Sequence, residues 1–90
     1  MAQQLDIDLS TIFDNIDERQ VEFTGEVDGD EYEFAVKYGV LEALSGEAPE
    51  DDAELRFNEF IDVLRDAALN ALSRNSDVPI IVVSENDLDQ

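Results

Sequence analysis

Carboxylate pairs are the side chains in this sequence most suggestive of chemistry. Among the acids that lie within two positions of one another are Asp6 with Asp8, Asp28 with Asp30, Glu31 with Glu33, and the run Glu50–Asp52. Oxygen ligands of this kind bind hard cations. None of the groups has the spacing of an EF-hand loop, which requires alternating oxygen ligands, Gly at the sixth position and Glu at the twelfth. We therefore predict weak, nonspecific cation association, with no dedicated metal site and no cofactor.

Catalysis by two carboxylates, as in glycoside hydrolysis, is the second chemistry to consider. It requires two acids with separated pKa values in a cleft, and a chain of 90 residues has little room for a pocket of several hundred Å³. The sequence contains no Cys and no His, which excludes thiolate and imidazole ligands and the usual Cys or Ser-His nucleophiles. We predict that the protein is not an enzyme and has no catalytic residues.

Lys37 and the Tyr38-Gly39 pair are two further candidates. Lys37 is the only lysine and could be imagined as an activated amine, but its place on the polar face of a predicted strand indicates a solvated charge. Tyr38-Gly39 lies where a predicted strand meets a predicted helix, and we interpret it as packing plus a tight bend.

The net charge limits the classes of partner. Asp and Glu number 24 against 5 Lys and Arg, which leaves −19. Such a surface repels nucleic acid and anionic lipid and attracts cations or basic proteins. Three interpretations remain open: a hydrated surface adapted to a salty cytoplasm, imitation of the DNA phosphate lattice, and an acidic docking face for a basic partner.

The N-terminal segment has a weak strand signal. Leu5, Ile7 and Leu9 alternate with polar residues, which predicts a short first strand within residues 1–12, with an N-terminal arm as the alternative. Between residues 10 and 20 the apolar residues follow neither a strand nor a helix period. We predict a connection there with one helical turn.

A β-hairpin is the clearest local prediction. Apolar and polar residues alternate over residues 21–27 and again over residues 31–37, and Asp28-Gly29-Asp30 lies between the two segments. An Asp-Gly pair in this setting favours a hairpin turn, because Gly adopts a positive φ without strain.

Two helices are predicted next. Val40, Leu41 and Leu44 fit one side of a short helix, and Gly46 is placed to end it. A second helix is predicted to begin near Pro49 and to continue to Arg74, a length of about 25 residues. Its apolar residues recur at three- and four-residue steps: Phe57, Phe60, Ile61, Leu64, Ala68, Ala71 and Leu72. Two surface ion pairs are expected, Asp52 with Arg56 and Asp62 with Arg65.

The last predicted strand is the apolar run Val78–Val83. Asn75-Ser76-Asp77 is expected to break the preceding helix, and residues 85–90 to form a polar tail anchored by Leu88. A continuous β-branched run favours a strand buried on both faces or central in the sheet, with Pro79 near its start. The alternative is an exposed edge that adds a strand to a partner. We favour pairing within the domain or across a dimer, because an unpaired apolar edge promotes aggregation.

Together these elements predict one α+β domain over residues 1–90. It comprises a small, mainly antiparallel sheet of three to four strands, one short helix, and one long helix packed on one sheet face. The expected core joins the long helix to the strands through Phe57, Phe60, Leu64, Leu72, Phe23, Phe34, Val36, Ile81 and Val83.

The order of these features resembles family 1488 of the domains of unknown function, small bacterial α+β proteins. The segments that carry the resemblance are Val21-Glu22-Phe23, Val27-Asp28-Gly29, Phe34-Ala35-Val36, Val40-Leu41-Glu42, the helix residues Phe57, Phe60, Leu64 and Ala68, Val82-Val83, and Asp87-Leu88. The chain departs from the family pattern at Ile61, where a basic residue is common, and at Lys37, where Ser is common. The resemblance implies the α+β architecture and no catalytic residue.

The function expected from the sequence is that of a noncatalytic, acidic accessory or protein-interaction domain with a basic protein as partner. The alternative is a nucleic-acid mimic that inhibits a basic DNA-binding protein. No basic cluster precedes an apolar run at the start, and no segment approaches the roughly 18 apolar residues of a membrane span. We therefore expect a cytoplasmic protein, a monomer or weak homodimer, that binds neither nucleic acid nor membrane.

Overall fold

A four-stranded sheet with helices on one face forms the core of the molecule. The structure, a computed structural model, describes residues 4–74 and 77–88. The strands are β1 (Asp6–Asn15), β2 (Gln20–Val27), β3 (Asp30–Lys37) and β4 (Ile81–Val83). The helices are α1 (Tyr38–Ser45), α2 (Ala53–Glu59) and α3 (Ile61–Arg74), and a 3₁₀ turn covers Glu85–Asp87. The strand order is β1-β2-β3-β4, antiparallel except for the parallel pair β3–β4. The predicted α+β class is confirmed.

The predicted hairpin joins β2 to β3. Val27 pairs with Asp30, so the loop consists of Asp28 and Gly29, whose φ angles are 54° and 88°. Two positive φ angles define the type I′ turn that matches the twist of the flanking strands. Further along the ladder Phe23 pairs with Phe34, and their rings stack with centroids 5.2 Å apart.

Strand β1 is longer than predicted, so the predicted connection is wrong for residues 10–15, whereas residues 16–19 form the turn between β1 and β2. Its pairing with β2 shifts between Asp8 and Phe13: the five steps along β1 correspond to the two steps from Thr24 to Glu22, so β1 contains three extra residues. Such a bulge interrupts the alternation of apolar and polar side chains. The irregular pattern at Ile12 and Phe13 is thus that of a bulged strand, and Ile16 lies in the turn that follows it.

The bulge of β1 is held by side chains. Asp8 Oδ1 accepts hydrogen bonds from the Ser10 amide and hydroxyl at 3.1 and 2.7 Å, and the Thr11 hydroxyl donates to the Asp8 carbonyl at 2.7 Å. Thr11 Oγ1 also accepts from the Thr24 amide at 2.9 Å. A side chain therefore replaces the carbonyl that a regular ladder would offer to Thr24.

The predicted long helix is divided. It begins at Ala53 rather than near Pro49, and Phe60, with φ −109° and ψ 24°, separates α2 from α3. The Glu50 amide donates to Asp52 Oδ1 at 3.1 Å, a local hydrogen bond that competes with helix formation. The change of direction lets α2 contact β1 and β2 while α3 contacts β4.

Helix α1 confirms the predicted short helix. It ends at Gly46, which has φ 87° and donates its amide to the Glu42 carbonyl at 2.8 Å. Only a left-handed residue can close the helix in this way without strain, so Gly is favoured at this position.

Strand β4 is an edge strand, and its expected burial on both faces or central position is wrong. It has three residues and pairs with β3, at the end of the strand order. Ile81 and Val83 are buried while Val82 is exposed. The return from β3 through three helices places β4 beside β3, with helices covering one face.

The core lies between the sheet and the helices. Phe57 contacts Phe23 with ring centroids 5.0 Å apart, and Leu64, Val36, Ile81 and Val83 are buried as predicted. Phe60 is only partly buried. Residues 85–90 were predicted as a polar tail, and this is wrong for Glu85–Asp87, which form a 3₁₀ turn in which Asp87 is buried. Leu88 is the anchor that was expected, whereas Asn75, Ser76 and residues 89–90 lie outside the described residues.

Candidate functional site

The face of the sheet opposite the helices is the surface with most capacity to bind. Side chains alternate along a strand, so the residues between the buried ones of β2 and β3 point away from α1, α2 and α3. We define the open face as Asp6, Asp8, Phe13, Glu22, Thr24, Glu26, Glu31, Glu33, Ala35, Lys37, Ile80 and Val82. Within residues 4–74 and 77–88, no helix covers it.

One row of residues crosses all four strands on the open face. Phe13 pairs with Glu22, Glu22 with Ala35, and Ala35 with Val82. Phe13 is 58% exposed and Val82 is 41% exposed, whereas Ala35 is fully buried. The small side chain of Ala35 therefore lies low between two apolar residues at opposite sides of the sheet.

A shallow depression of about 100 Å³ lies next to this row. Its open-face lining combines two hydroxyls, two carboxylates and one apolar side chain: Thr11, Thr24, Glu22, Glu33 and Ile80. Such a lining suits a side chain that is apolar along its stem and cationic at its tip, as in Lys or Arg.

Glu22 is held as an ionised acceptor in the middle of the open face. Its Oε2 accepts hydrogen bonds from Asn15 Nδ2 at 2.9 Å and from Gln20 Nε2 at 2.7 Å. These bonds, the one from Asn15 most strongly, lower the pKa of Glu22, and partial burial opposes them. Both donors bind Oε2, which leaves Oε1 for a further donor.

Lys37 lies at the end of the same network. Its Nζ donates to Gln20 Oε1 at 2.9 Å, and the residue is exposed. The prediction of a solvated charge on the polar face of a strand is confirmed.

Three carboxylates lie opposite one another at the other end of the open face. Asp6 pairs with Glu26 and Glu26 with Glu31 across β1, β2 and β3. Together with Asp8 they line a depression of about 250 Å³. Like charges in directly opposed positions repel. In the described part of the chain, no group of three or more acids has a geometry that could hold a metal ion.

Two of these acid pairs were predicted from the sequence, whereas the row Asp6–Glu26–Glu31 was not. Asp6 with Asp8 and Glu31 with Glu33 were chosen by their spacing along the chain, and the structure brings both pairs to the open face. Glu26 was not singled out. The hairpin register could have found it, because an Asp28-Gly29 loop sets Glu26 opposite Glu31.

The remaining acid groups serve local structure or lie at the surface. Asp52 precedes α2, and its Oδ2 pairs with Arg56 Nε at 3.1 Å. This pair and the pair of Asp62 with Arg65, at 3.0 Å, confirm the two predicted ion pairs. Asp28 and Asp30 are exposed at the hairpin turn.

Tyr38 joins three parts of the chain. Its hydroxyl donates to Asp14 Oδ1, its amide donates to the Arg19 carbonyl at 3.0 Å, and the Arg19 guanidinium lies 5.5 Å from the ring centroid. Burial, followed by the hydrogen bond and the negative charge of Asp14, raises the pKa of Tyr38 to about 12. The residue is therefore a neutral donor that packs at a junction, as predicted.

Gly39 permits a close approach at the start of α1. A Cβ atom at this position would lie 2.7 Å from Glu85 Oε1. The Glu85 carboxylate therefore reaches the first turn of a helix that has no acidic residue of its own there. A negative charge at this end complements the helix dipole.

Comparison with known proteins identifies a solved structure with a similar fold. No family model and no curated protein matches the sequence. The structure is similar to the crystal structure of a protein of unknown function from the DUF1488 family of Shewanella loihica PV-4, with a TM-score of 0.74 and 21% sequence identity. The similarity covers 92% of this chain and 94% of that chain.

The chain has the fold of a DUF1488 family protein. This agrees with the family resemblance in the sequence, which is thereby confirmed for the architecture. The function of the Shewanella protein is unknown, so the comparison transfers no activity. None of the described helices is long and apolar enough to cross a membrane.

Proposed function

We propose that this protein is a noncatalytic protein-interaction domain that binds a basic partner through the open face of its sheet. The observation that carries the proposal is the combination of exposed apolar side chains and carboxylates on one uncovered surface. Phe13, Ile80 and Val82 are exposed there beside Glu22 and Glu33.

The apolar residues supply the affinity in this proposal. Burying apolar surface contributes about 25 cal/mol per Å², and the central part of a protein interface is enriched in aromatic and depleted in charged residues. Phe13 is the one aromatic residue of the open face, and Val82 is exposed at the other side of the sheet.

The carboxylates determine which partner fits. The carboxylates beside the row that runs from Phe13 to Val82 lie on its hairpin side, and Lys37 is the single positive charge of the open face. These carboxylates are Asp6, Asp8, Glu26, Glu31 and Glu33. Complementary charge steers association and rejects like-charged surfaces. A basic surface is therefore attracted to the open face, and the open face of a second copy is repelled.

The alternative of a nucleic-acid mimic is less well supported. Mimicry requires carboxylates in two rows spaced like duplex phosphates. The exposed acids instead occur on the helices as well as the strands, with Glu42 on α1, Glu54 on α2 and Asp66 on α3. This distribution favours a surface that is hydrated throughout.

A pull-down with matched variants tests the proposal. Phe13 and Leu55 are 58% and 60% exposed, the first on the open face and the second on α2. We expect the wild type and Leu55→Ser to retain the same basic protein at low salt and to release it at high salt. We expect Phe13→Ser to retain several-fold less. Equal retention by the two variants, or retention that salt does not weaken, would contradict the proposal.

A further inference from the structure

The two edges of the sheet differ in how they are protected. Proteins guard sheet edges with charges, bulges, proline or very short strands. β1 has Asp6, Asp8 and Asp14 together with its three-residue bulge. Residues 78–83, which comprise β4 and the three residues before it, contain no charged side chain, although charged residues make up 32% of the chain.

The β4 edge is also open. No strand of the described chain pairs with its outer side. Ile80 and Val82 are exposed next to it on the open face, while Ile81 and Val83 are held in the core. The edge is therefore apolar, and within residues 78–83 its protections are Pro79 and the short length of β4.

Charge decides between two occupants of this edge. A second copy carries the same net charge of −19, so two copies that paired through this edge would repel each other. Glu33, which lines the depression beside Ile80, adds to the negative field. A basic strand meets attraction at the same edge.

We propose that β4 receives an extended segment of the basic partner, with apolar residues alternating with Lys or Arg, as an additional strand of the sheet. This inference rests on the proposed function and specifies its mode of binding. Main-chain hydrogen bonds to an edge supply affinity in this mode, and alternate side chains supply specificity. The Lys or Arg side chains of the segment would lie on the open face, with their stems against Val82 and Ile80 and one charged tip at Glu33. Its apolar side chains would lie on the opposite face.

Titration of the isotope-labelled protein with a synthetic peptide of alternating valine and lysine tests this inference by NMR. The matched control is the same peptide with its alternate amide nitrogens methylated, which blocks strand pairing and keeps every side chain. We expect amide shifts concentrated at residues 80–83 and at their β3 partners 34–36. Methylation should weaken binding by about tenfold or more.

Protein variants provide a second readout. Val82 and Val63 are each 41% exposed, the first on β4 and the second on α3. Val82→Lys should weaken binding of the lysine-valine peptide by about tenfold, and Val63→Lys should leave it close to that of the wild type.

Three outcomes would overturn the inference. Shifts at Phe13, Glu22 and Thr24 that methylation does not change would place the peptide on the open face without strand addition, leaving the proposed function intact. The absence of any shift at low salt would refute both proposals. A stable dimer in sedimentation equilibrium, with its contact at β4, would identify a second copy as the occupant.

Discussion

At the scale of single residues, the buried polar groups lie where elements meet. Tyr38 connects α1 to β1 through Asp14, and Asp87 connects the 3₁₀ turn to α3 through Arg74. Asp87 Oδ2 also accepts from the Ser84 amide at 2.9 Å, which caps the turn. In the described residues, every buried side-chain nitrogen or oxygen has a hydrogen-bond partner. These contacts fix the ends of elements whose interiors are held by apolar packing.

The raised pKa of Tyr38 predicts a loss of stability at high pH. Its folded value is about 12 against a reference of 10.0. The contribution of Tyr38 to stability is therefore complete below about pH 10 and is lost as the pH rises through the pKa of the folded state. Between about pH 10 and pH 12 we expect the free energy of unfolding of the wild type to fall by about 1–3 kcal/mol more than that of Tyr38→Phe. Urea unfolding followed by circular dichroism measures this difference, and parallel curves would contradict it.

Neutralising the Asp of two Asp–Arg pairs should change the free energy of unfolding by unequal amounts. The side chain of Asp87 is 1% exposed and that of Asp62 is 89% exposed. Asp87→Asn should lower the free energy of unfolding by about 1–3 kcal/mol, because the buried network loses its negative charge and one of its two acceptor oxygens. Asp62→Asn should change it by less than about 0.5 kcal/mol. Chemical denaturation of both variants checks the prediction, and similar losses in the two would refute it.

At the scale of elements, the bulge of β1 and the break at Phe60 are adjustments that bring apolar surface to the core. The bulge lets β1 pair with β2 on both sides of Asp8–Phe13. The break lets α2 and α3 follow different strands. The break cannot be read from the chain, because three- and four-residue steps continue through Phe60. The bulge does interrupt the alternation of apolar and polar residues, but the same irregular pattern is compatible with a connection.

Truncations in the helices test this packing. Phe57 is fully buried against Phe23, while Phe60 lies at the break and is partly buried. We expect Phe57→Ala to lower the free energy of unfolding by about 3–5 kcal/mol. Phe60→Ala should lower it clearly less. The sequence alone placed Phe60 and Leu64 together in the expected core. Urea unfolding gives both values, and a larger cost at Phe60 would contradict the described division of the helix.

At the scale of the whole molecule, charge opposes folding. The net charge is −19, and Asp6, Glu26 and Glu31 repel one another across three strands. Salt screens such repulsion, with a screening length of about 10 Å at 0.1 M and about 3 Å at 1 M. This is the physical basis of the predicted adaptation to a salty cytoplasm.

Thermal unfolding from low to molar KCl tests the role of this charge. A stabilisation of about 1 kcal/mol would raise the Tm by about 4–8 °C for a chain of this size, and we expect at least that. Glu26→Gln removes the middle charge of the row Asp6–Glu26–Glu31. Its Tm should therefore increase less with KCl than that of the wild type. A melting temperature indifferent to KCl would contradict the prediction.

The sequence by itself determined the features whose signals are local. The Asp28-Gly29 turn, the end of α1 at Gly46, the buried stripe at Phe57, Leu64 and Ala68, and the α+β class all follow from residues close together in the chain. The acidic character of the surface follows from composition. Local conformational preference and hydrophobic period are enough for these features.

Only the tertiary structure decided which surfaces stay uncovered. The apolar run before residue 84 was compatible with a central or an edge strand, because its pattern does not report how many neighbours a strand has. The crossover through the helices placed it beside β3, at the edge. The open face, the row Asp6–Glu26–Glu31 and the burial of Asp87 likewise depend on pairings between distant segments, which packing selects and local sequence does not encode.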